Sequence, residues 1–216
     1  MTHPVTEEKR NKEVQERREL QSFTMLTERA ASDAASSLGK WLRSPVSLNM
    51  GDLELIPFGD LVQRVDPDGD SVSVGIGVAI AKGAQGYLLM LFSEQSAREL
   101  VDILLKKPLG TTQELQGIAQ SALLETANII ASAYLSAFGR HFQSEFMPGP
   151  PFYMHDLTTS ILESTLQEQA QCQDRALYCD IRFSQAERHM EWHLFFLPIH
   201  DAFKSLLAQP KGEILP

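Results

Sequence analysis

A segment that recurs at a fixed offset constrains a fold more than any local pattern, because both copies must find equivalent surroundings. In this chain the offset is 100 residues: Ala31 falls on Ala131, Ser32 on Ser132, Ser36 on Ser136 and Gly39 on Gly139. Further along, YLLMLFSEQSA is echoed by WHLFFLPIHDA. Identities among small residues arise easily by chance, so the order of elements around them carries more weight. In each half a long helical pattern is followed by a loop, two strand-like stretches and a short helical stretch. We expect an α+β fold: a pseudo-two-fold internal repeat whose long helices pack on a shared, largely antiparallel sheet. One domain over residues 22–216 would hold both repeats, about 22–108 and 113–208, behind a charged extension over 1–21.

The local signals place the elements. A helix is expected from about Ser22 to Leu42, after a charged lead-in from Glu7 to Glu19 with favourable pairs Glu8–Lys12 and Glu13–Arg17. Beyond Ser44-Pro45, VSLNM and DLELIPF read as short strands. Ser71 to Ala81 and Gly86 to Phe92 read as two strands joined by a glycine turn. Ser93 is a helix cap, and Leu100, Ile103 and Leu104 give the following helix its apolar face. In the second half a long helix is expected from about Glu114 to Phe142. Pro148-Gly149-Pro150-Pro151 should stop regular structure. A helix over about Asp156 to Gln169, strands over Ala176 to Phe183 and Met190 to Pro198, and a short helix near Asp201 complete the reading.

With 216 residues, 43% of them hydrophobic, the chain can bury a large core. Its formal net charge of -9, without a long basic run, argues against a phosphate-backbone partner. The two cysteines, Cys172 and Cys179, match no common zinc spacing and suggest a reducing compartment. The first twenty residues lack the apolar core of a secretory signal, and no run of apolar residues is long enough to span a bilayer. A cytoplasmic location is expected.

The second long helix carries an oddity. SALLETANIIASAYLSAFG, Ser121 to Gly139, is apolar over most of its circumference, yet holds Glu125 and Asn128 three residues apart. With Ser121 at zero on a helical wheel, Glu125 lies near 40°, Asn128 near -20° and Ser132 near 20°, all roughly on one side. Leu123, Ala127, Ile130, Tyr134 and Phe138 fall opposite. A solvent-facing stripe is the plain reading. Such stripes ordinarily use Lys, Glu and Arg, whereas this one is short and carries one charge; Asn is also a poor mid-helix residue. A narrow stripe of small side chains lets another protein approach closely.

Ser121, Glu125, Asn128 and, 22 residues beyond, Pro151 resemble the signature of the CheC/CheX/FliY chemotaxis phosphatases. The element order and the repeat resemble that family over about Ser22 to Leu207. The resemblance implies a CheC-like fold and removal of the phosphoryl group from the aspartyl phosphate of a CheY-like response regulator. It implies that Asn128 is the catalytic residue and Glu125 a docking and orienting partner. CheC-like members also associate with the receptor deamidase CheD, and a homodimer is a further expectation. No cofactor is expected in this chain, Mg2+ being the partner receiver's. The chemistry suits the residues: a carboxamide can hold a water in line with a phosphoryl group without repelling its oxygens, as a carboxylate would. In the first repeat the positions equivalent to Glu125 and Asn128 are Met25 and Glu28, and that of Pro151 is Gly51, so one working site is expected rather than two.

The alternative is a non-catalytic module that binds a receiver or the flagellar motor, as in the similar middle domain of FliM, or one that chiefly holds CheD. A further flagellar-switch domain is not expected, the sequence ending at Pro216. Other constellations are weaker. DPDGD, Asp66 to Asp70, opens like a calcium loop, but the twelfth position is Gly77 where a bidentate Glu is required. Glu187, His189, Glu191 and His193 alternate along a strand and could face a metal, although the wet face of an antiparallel strand looks the same. Gly75-Ile76-Gly77 lies within a strand pattern with no helix after it, which speaks against a phosphate cradle.

Overall fold

The two strands expected on either side of the glycine turn pair with each other. In the computed structural model, which describes residues 4–83, 85–170, 175–185 and 188–199, β3 (Val72–Lys82) and β4 (Gly86–Ser93) form an antiparallel hairpin. Val74, Ile76 and Val78 with Leu88, Met90 and Phe92 bury one face, while Leu89 and Leu91 bury the other. A sheet that is apolar on both faces needs a cover on each. The larger core is closed by α1 (Pro4–Leu42), α3 (Glu94–Leu104) and α4 (Ile118–Phe142). The smaller one is closed by α2 (Phe58–Val65) and α5 (Thr158–Ala170) through Leu61, Ile161, Leu162 and Leu166. Phe23, Tyr134, Phe138 and Phe196 meet in the larger core; Phe138 and Phe196 have ring centroids 5.2 Å apart. Burying each ring contributes about 2–3 kcal/mol.

The remaining strands are β1 (Ser47–Met50), β2 (Glu54–Pro57), β5 (Met147–Leu157), β6 (Arg175–Tyr178), β7 (Asp180–Gln185) and β8 (Arg188–Pro198). Six of the eight form one antiparallel sheet in the order β1-β7-β8-β4-β3-β5; β2 and β6 pair separately. The order is pseudo-symmetric about the central pair β4–β8. The two halves exchange edge strands: β1 of the first pairs with β7 of the second, and β5 of the second with β3 of the first. The α+β repeat fold is therefore as expected, with the halves interlocked.

The helices repeat in detail. Phe23, Ala30, Ala31, Ala34 and Leu38 are buried on α1, as are Leu123, Ile130, Ala131, Tyr134 and Phe138 on α4. Both helices close the same way. Ser44 N–H donates to Gly39 O over 3.1 Å, and Ser144 N–H to Gly139 O over 3.2 Å. A side chain at Gly39 or Gly139 would crowd the carbonyl of Ser44 or Ser144 at 3.2 Å and 3.0 Å.

Several boundaries differ from the sequence reading, each for a physical reason. α1 runs unbroken from Pro4, the charged lead-in and the expected helix being one element; proline suits a first helical position. α4 starts at Ile118 rather than near Glu114, because Gly117 at φ 60° breaks the helical path. The Pro148–Pro151 stretch does not stop regular structure: it lies in β5, an edge strand that shifts register against β3 here. Edge strands and bulges are where a missing N–H is tolerated. DLELIPF holds the strand β2 as expected, but its last residue, Phe58, opens the short helix α2, which the sequence reading missed. Ala176 to Phe183 is two strands, β6 and β7, divided at Cys179. The helix expected near Asp201 lies outside the described residues.

Ser93 caps α3 as expected, its hydroxyl accepting from Ser96 N–H at 3.1 Å. Asp66 does the work of a turn: its carboxylate accepts from the Ser71 hydroxyl at 2.8 Å and the Ser71 amide at 3.2 Å. Gly75 and Gly77 make room for neighbours, since a Cβ would come within 2.6 Å of Ile161 and 2.1 Å of Phe152.

Candidate functional site

The stripe on α4 sits where helical periodicity puts it. Leu123, Ala127, Ile130, Tyr134 and Phe138 face the core, which turns Ser121 and Glu125 fully outward and leaves Asn128 and Ser132 half-buried. Among the described residues, neither Glu125 nor Asn128 has a hydrogen-bond or ion-pair partner. Two serines of the stripe are satisfied within the helix: Ser121 Oγ donates to Gly117 O at 3.0 Å and Ser136 Oγ to Ser132 O at 2.7 Å. Together with the Ser132 hydroxyl, the carboxylate and the carboxamide are the stripe's groups without a partner among the described residues. Pro151 lies apart on β5, paired with Val78.

α1 and α4 lie against each other in antiparallel directions. Arg140 of α4 pairs with Asp33 of α1, and the Trp41 indole N–H of α1 donates to Thr126 Oγ1 of α4 over 3.1 Å. Thr126 is next to Glu125, and its own hydroxyl proton goes to Ala122 O at 2.8 Å. Sequence reasoning did not single out Trp41. Its one signal was an aromatic near a helix end, where the partner across the helix pair is not visible. In the first repeat, Met25 and Glu28 stand at the positions of Glu125 and Asn128; both are exposed, Met25 at 59%.

The other candidates resolve differently. His193 Nδ1 lies 2.8 Å from Asp180 Oδ1, and Arg182 Nε donates to Asp180 Oδ2 over 2.8 Å. Burial pushes the Asp180 carboxyl up, but the hydrogen bonds from His193 and Arg182 outweigh it and hold it below the usual carboxylate range. This is a structural clamp between β7 and β8. Glu187 and the side chains of His189 and Glu191 lie outside the described residues; among those described, no cluster of three or more acidic, His or Cys groups could hold a metal. No helix among them is long and apolar enough to cross a membrane. Cys179 is buried and its thiol is pushed up to about 12, mainly by that burial, so it is no nucleophile.

No protein-family model matches the chain. A curated relative, the CheY-P phosphatase CheC of Bacillus subtilis, is 23% identical over 182 residues, covering 82% of this chain and 87% of that protein. The crystal structure of Thermotoga maritima FliY superposes with a TM-score of 0.70 at 13% identity, covering 88% of this chain and 93% of the other. The FliM middle domain from H. pylori superposes with a TM-score of 0.64 at 12% identity, covering 88% and 97%. Two helix-and-strand repeats that exchange edge strands under a helix pair give this chain a CheC-like α+β fold. In sequence the chain is similar to a CheC protein, and in fold to FliY and the FliM middle domain.

Proposed function

We propose that the chain hydrolyses the aspartyl phosphate of a CheY-like receiver, with Asn128 orienting the attacking water and Glu125 pairing with a receiver cation. One arrangement carries this reading: a carboxylate and a carboxamide side by side on a helix, pointing outward and without a partner among the described residues. Groups that a fold leaves unsatisfied in this way suit insertion into another protein's site. The similarity to a protein named CheY-P phosphatase supports the same reading.

The chemistry asks little of this chain. The water oxygen attacks phosphorus opposite the aspartyl oxygen, and the acyl P–O bond breaks with its electrons passing to the receiver's carboxylate. Inorganic phosphate leaves and takes up the water's proton. The receiver brings its own Mg2+ and lysine to offset phosphoryl charge. Asn128 holds the water in line through its amide, an effect of position. Glu125, one turn away, draws a receiver cation such as that lysine and sets the approach. Neither role needs a nucleophile or a metal here.

Phosphate release from a panel of the organism's phosphorylated receivers tests the proposal. At least one should lose its phosphoryl group about tenfold or more faster with the protein than without it. Receivers that bind with unchanged phosphate lifetimes would support the second reading, a non-catalytic module, which the superposition on the FliM middle domain favours.

A further inference from the structure

We propose that Trp41, on the first repeat's helix, is a docking residue of the second repeat's site: its indole is the apolar rim against which the receiver seats as Glu125 and Asn128 reach the phosphoryl group. The proposal rests on the reading of α4 as the receiver-facing helix. Three observations carry it. Trp41 is 40% exposed, although a large ring at a helix pair ordinarily turns inward. Its indole is nonetheless anchored, because the N–H donates to Thr126 Oγ1 over 3.1 Å, beside Glu125. The Thr126 proton is spent on Ala122 O, which leaves an oxygen lone pair for the indole. An exposed aromatic that is already ordered loses little freedom on contact, which is what makes tryptophan effective at interfaces.

The third observation is an asymmetry. One hundred residues away, the equivalents of Trp41 and Thr126 are His141 and Leu26, a pair without the hydroxyl acceptor. The indole–hydroxyl anchor thus occurs at the repeat with Glu125 and Asn128 and not at the one with Met25 and Glu28. The working site is built from both repeats. Its partner surface should offer an aliphatic residue to the ring and a basic one to Glu125, since indole takes both alkyl groups and the stems of Lys and Arg.

The chain has two tryptophans, Trp41 and Trp192, and Trp192 is 1% exposed. Labelled with 5-fluorotryptophan, the full chain should give two fluorine resonances, assigned with Trp41→Phe. An unlabelled CheY-type receiver activated with beryllofluoride and Mg2+ is then titrated in. The Trp41 resonance should shift or broaden to saturation while that of Trp192 stays in place. Trp41→Ala should raise KM for the phosphorylated receiver about tenfold, with kcat within about twofold of wild type. Trp41→Phe, which keeps a ring, should recover part of the loss. A complex seen in the receiver's own nitrogen-15 spectrum while the Trp41 resonance stays still, or wild-type kinetics for Trp41→Ala, overturns the proposal and leaves the phosphatase reading standing. Failure of every receiver to bind overturns the phosphatase reading, and this proposal falls with it.

Discussion

Arg43 and Gln143, one hundred residues apart, both close their helices in the left-handed region, with φ 53° and 49°. Each follows a glycine four residues earlier whose carbonyl takes the amide of the next residue, Ser44 or Ser144. Glycine prefers this conformation and other residues are strained in it. Arg43→Gly and Gln143→Gly should therefore each stabilise the fold by about 0.5–1 kcal/mol. The antiparallel helices put the two sites at opposite ends, so the gains should add in the double variant. Denaturant melts of the four proteins check this.

Asn128→Ala should lower receiver dephosphorylation by about tenfold or more, because a positioned water is worth a few kcal/mol. The melting transition should be unchanged, since Asn128 is half-buried on the outer stripe and holds no partner among the described residues. A folded variant with wild-type turnover would remove Asn128 from the site.

Glu125→Lys should be worse than Glu125→Ala. Removing one partner of a partly dehydrated charge pair costs about 2 kcal/mol or more, and a lysine adds repulsion against a receiver cation. The loss should fall mainly on KM, read from kinetics over a range of phosphorylated receiver. Two variants that both match wild type would make Glu125 a solubilising residue only.

Glu28→Ala should leave phosphatase activity within about twofold of wild type, because α1 carries no amide at that position. Side-by-side phosphate-release assays with Asn128→Ala decide it. Loss of turnover in Glu28→Ala alone would place the site on the other helix.

Acid should weaken the fold through Asp102, which is fully buried behind the link between the repeats. Its carboxylate accepts from the Thr112 hydroxyl at 2.6 Å, the Thr112 amide at 2.9 Å and the Thr111 amide at 3.0 Å. Burial pushes the carboxyl up, but the Thr112 and Thr111 hydrogen bonds outweigh it and hold it below its ordinary range. The folded state therefore gives up its proton more readily than the unfolded one. The stability this adds is complete above the unfolded value, about 4, and is lost as pH falls through the lower folded value. Asp180, held down by His193 and Arg182, acts with the same sign. Asp102→Ala should cost about 2 kcal/mol at neutral pH and flatten the acid limb of a stability profile. An unchanged acid limb would contradict this.

The sequence by itself determined whatever depends on neighbours a few residues apart. The 3.6-residue period set Glu125 and Asn128 on one face of α4 and Leu123, Ile130 and Tyr134 on the other, and two strand-like runs about a glycine turn marked the β3–β4 hairpin. The offset of 100 residues announced the repeat. Tertiary structure alone decided what depends on which distant segment arrives. Periodicity says which face of a strand is apolar but not which strand lies beside it, so the exchange of β1 and β5 between halves was not legible. Nor was β5 itself: Pro148, Pro150 and Pro151 spell a break until an edge position makes their missing donors harmless. Trp41 illustrates the same limit at the site. Its partner Thr126 is 85 residues away in the chain, and only the antiparallel packing of α1 on α4 brings the indole to the hydroxyl next in sequence to Glu125.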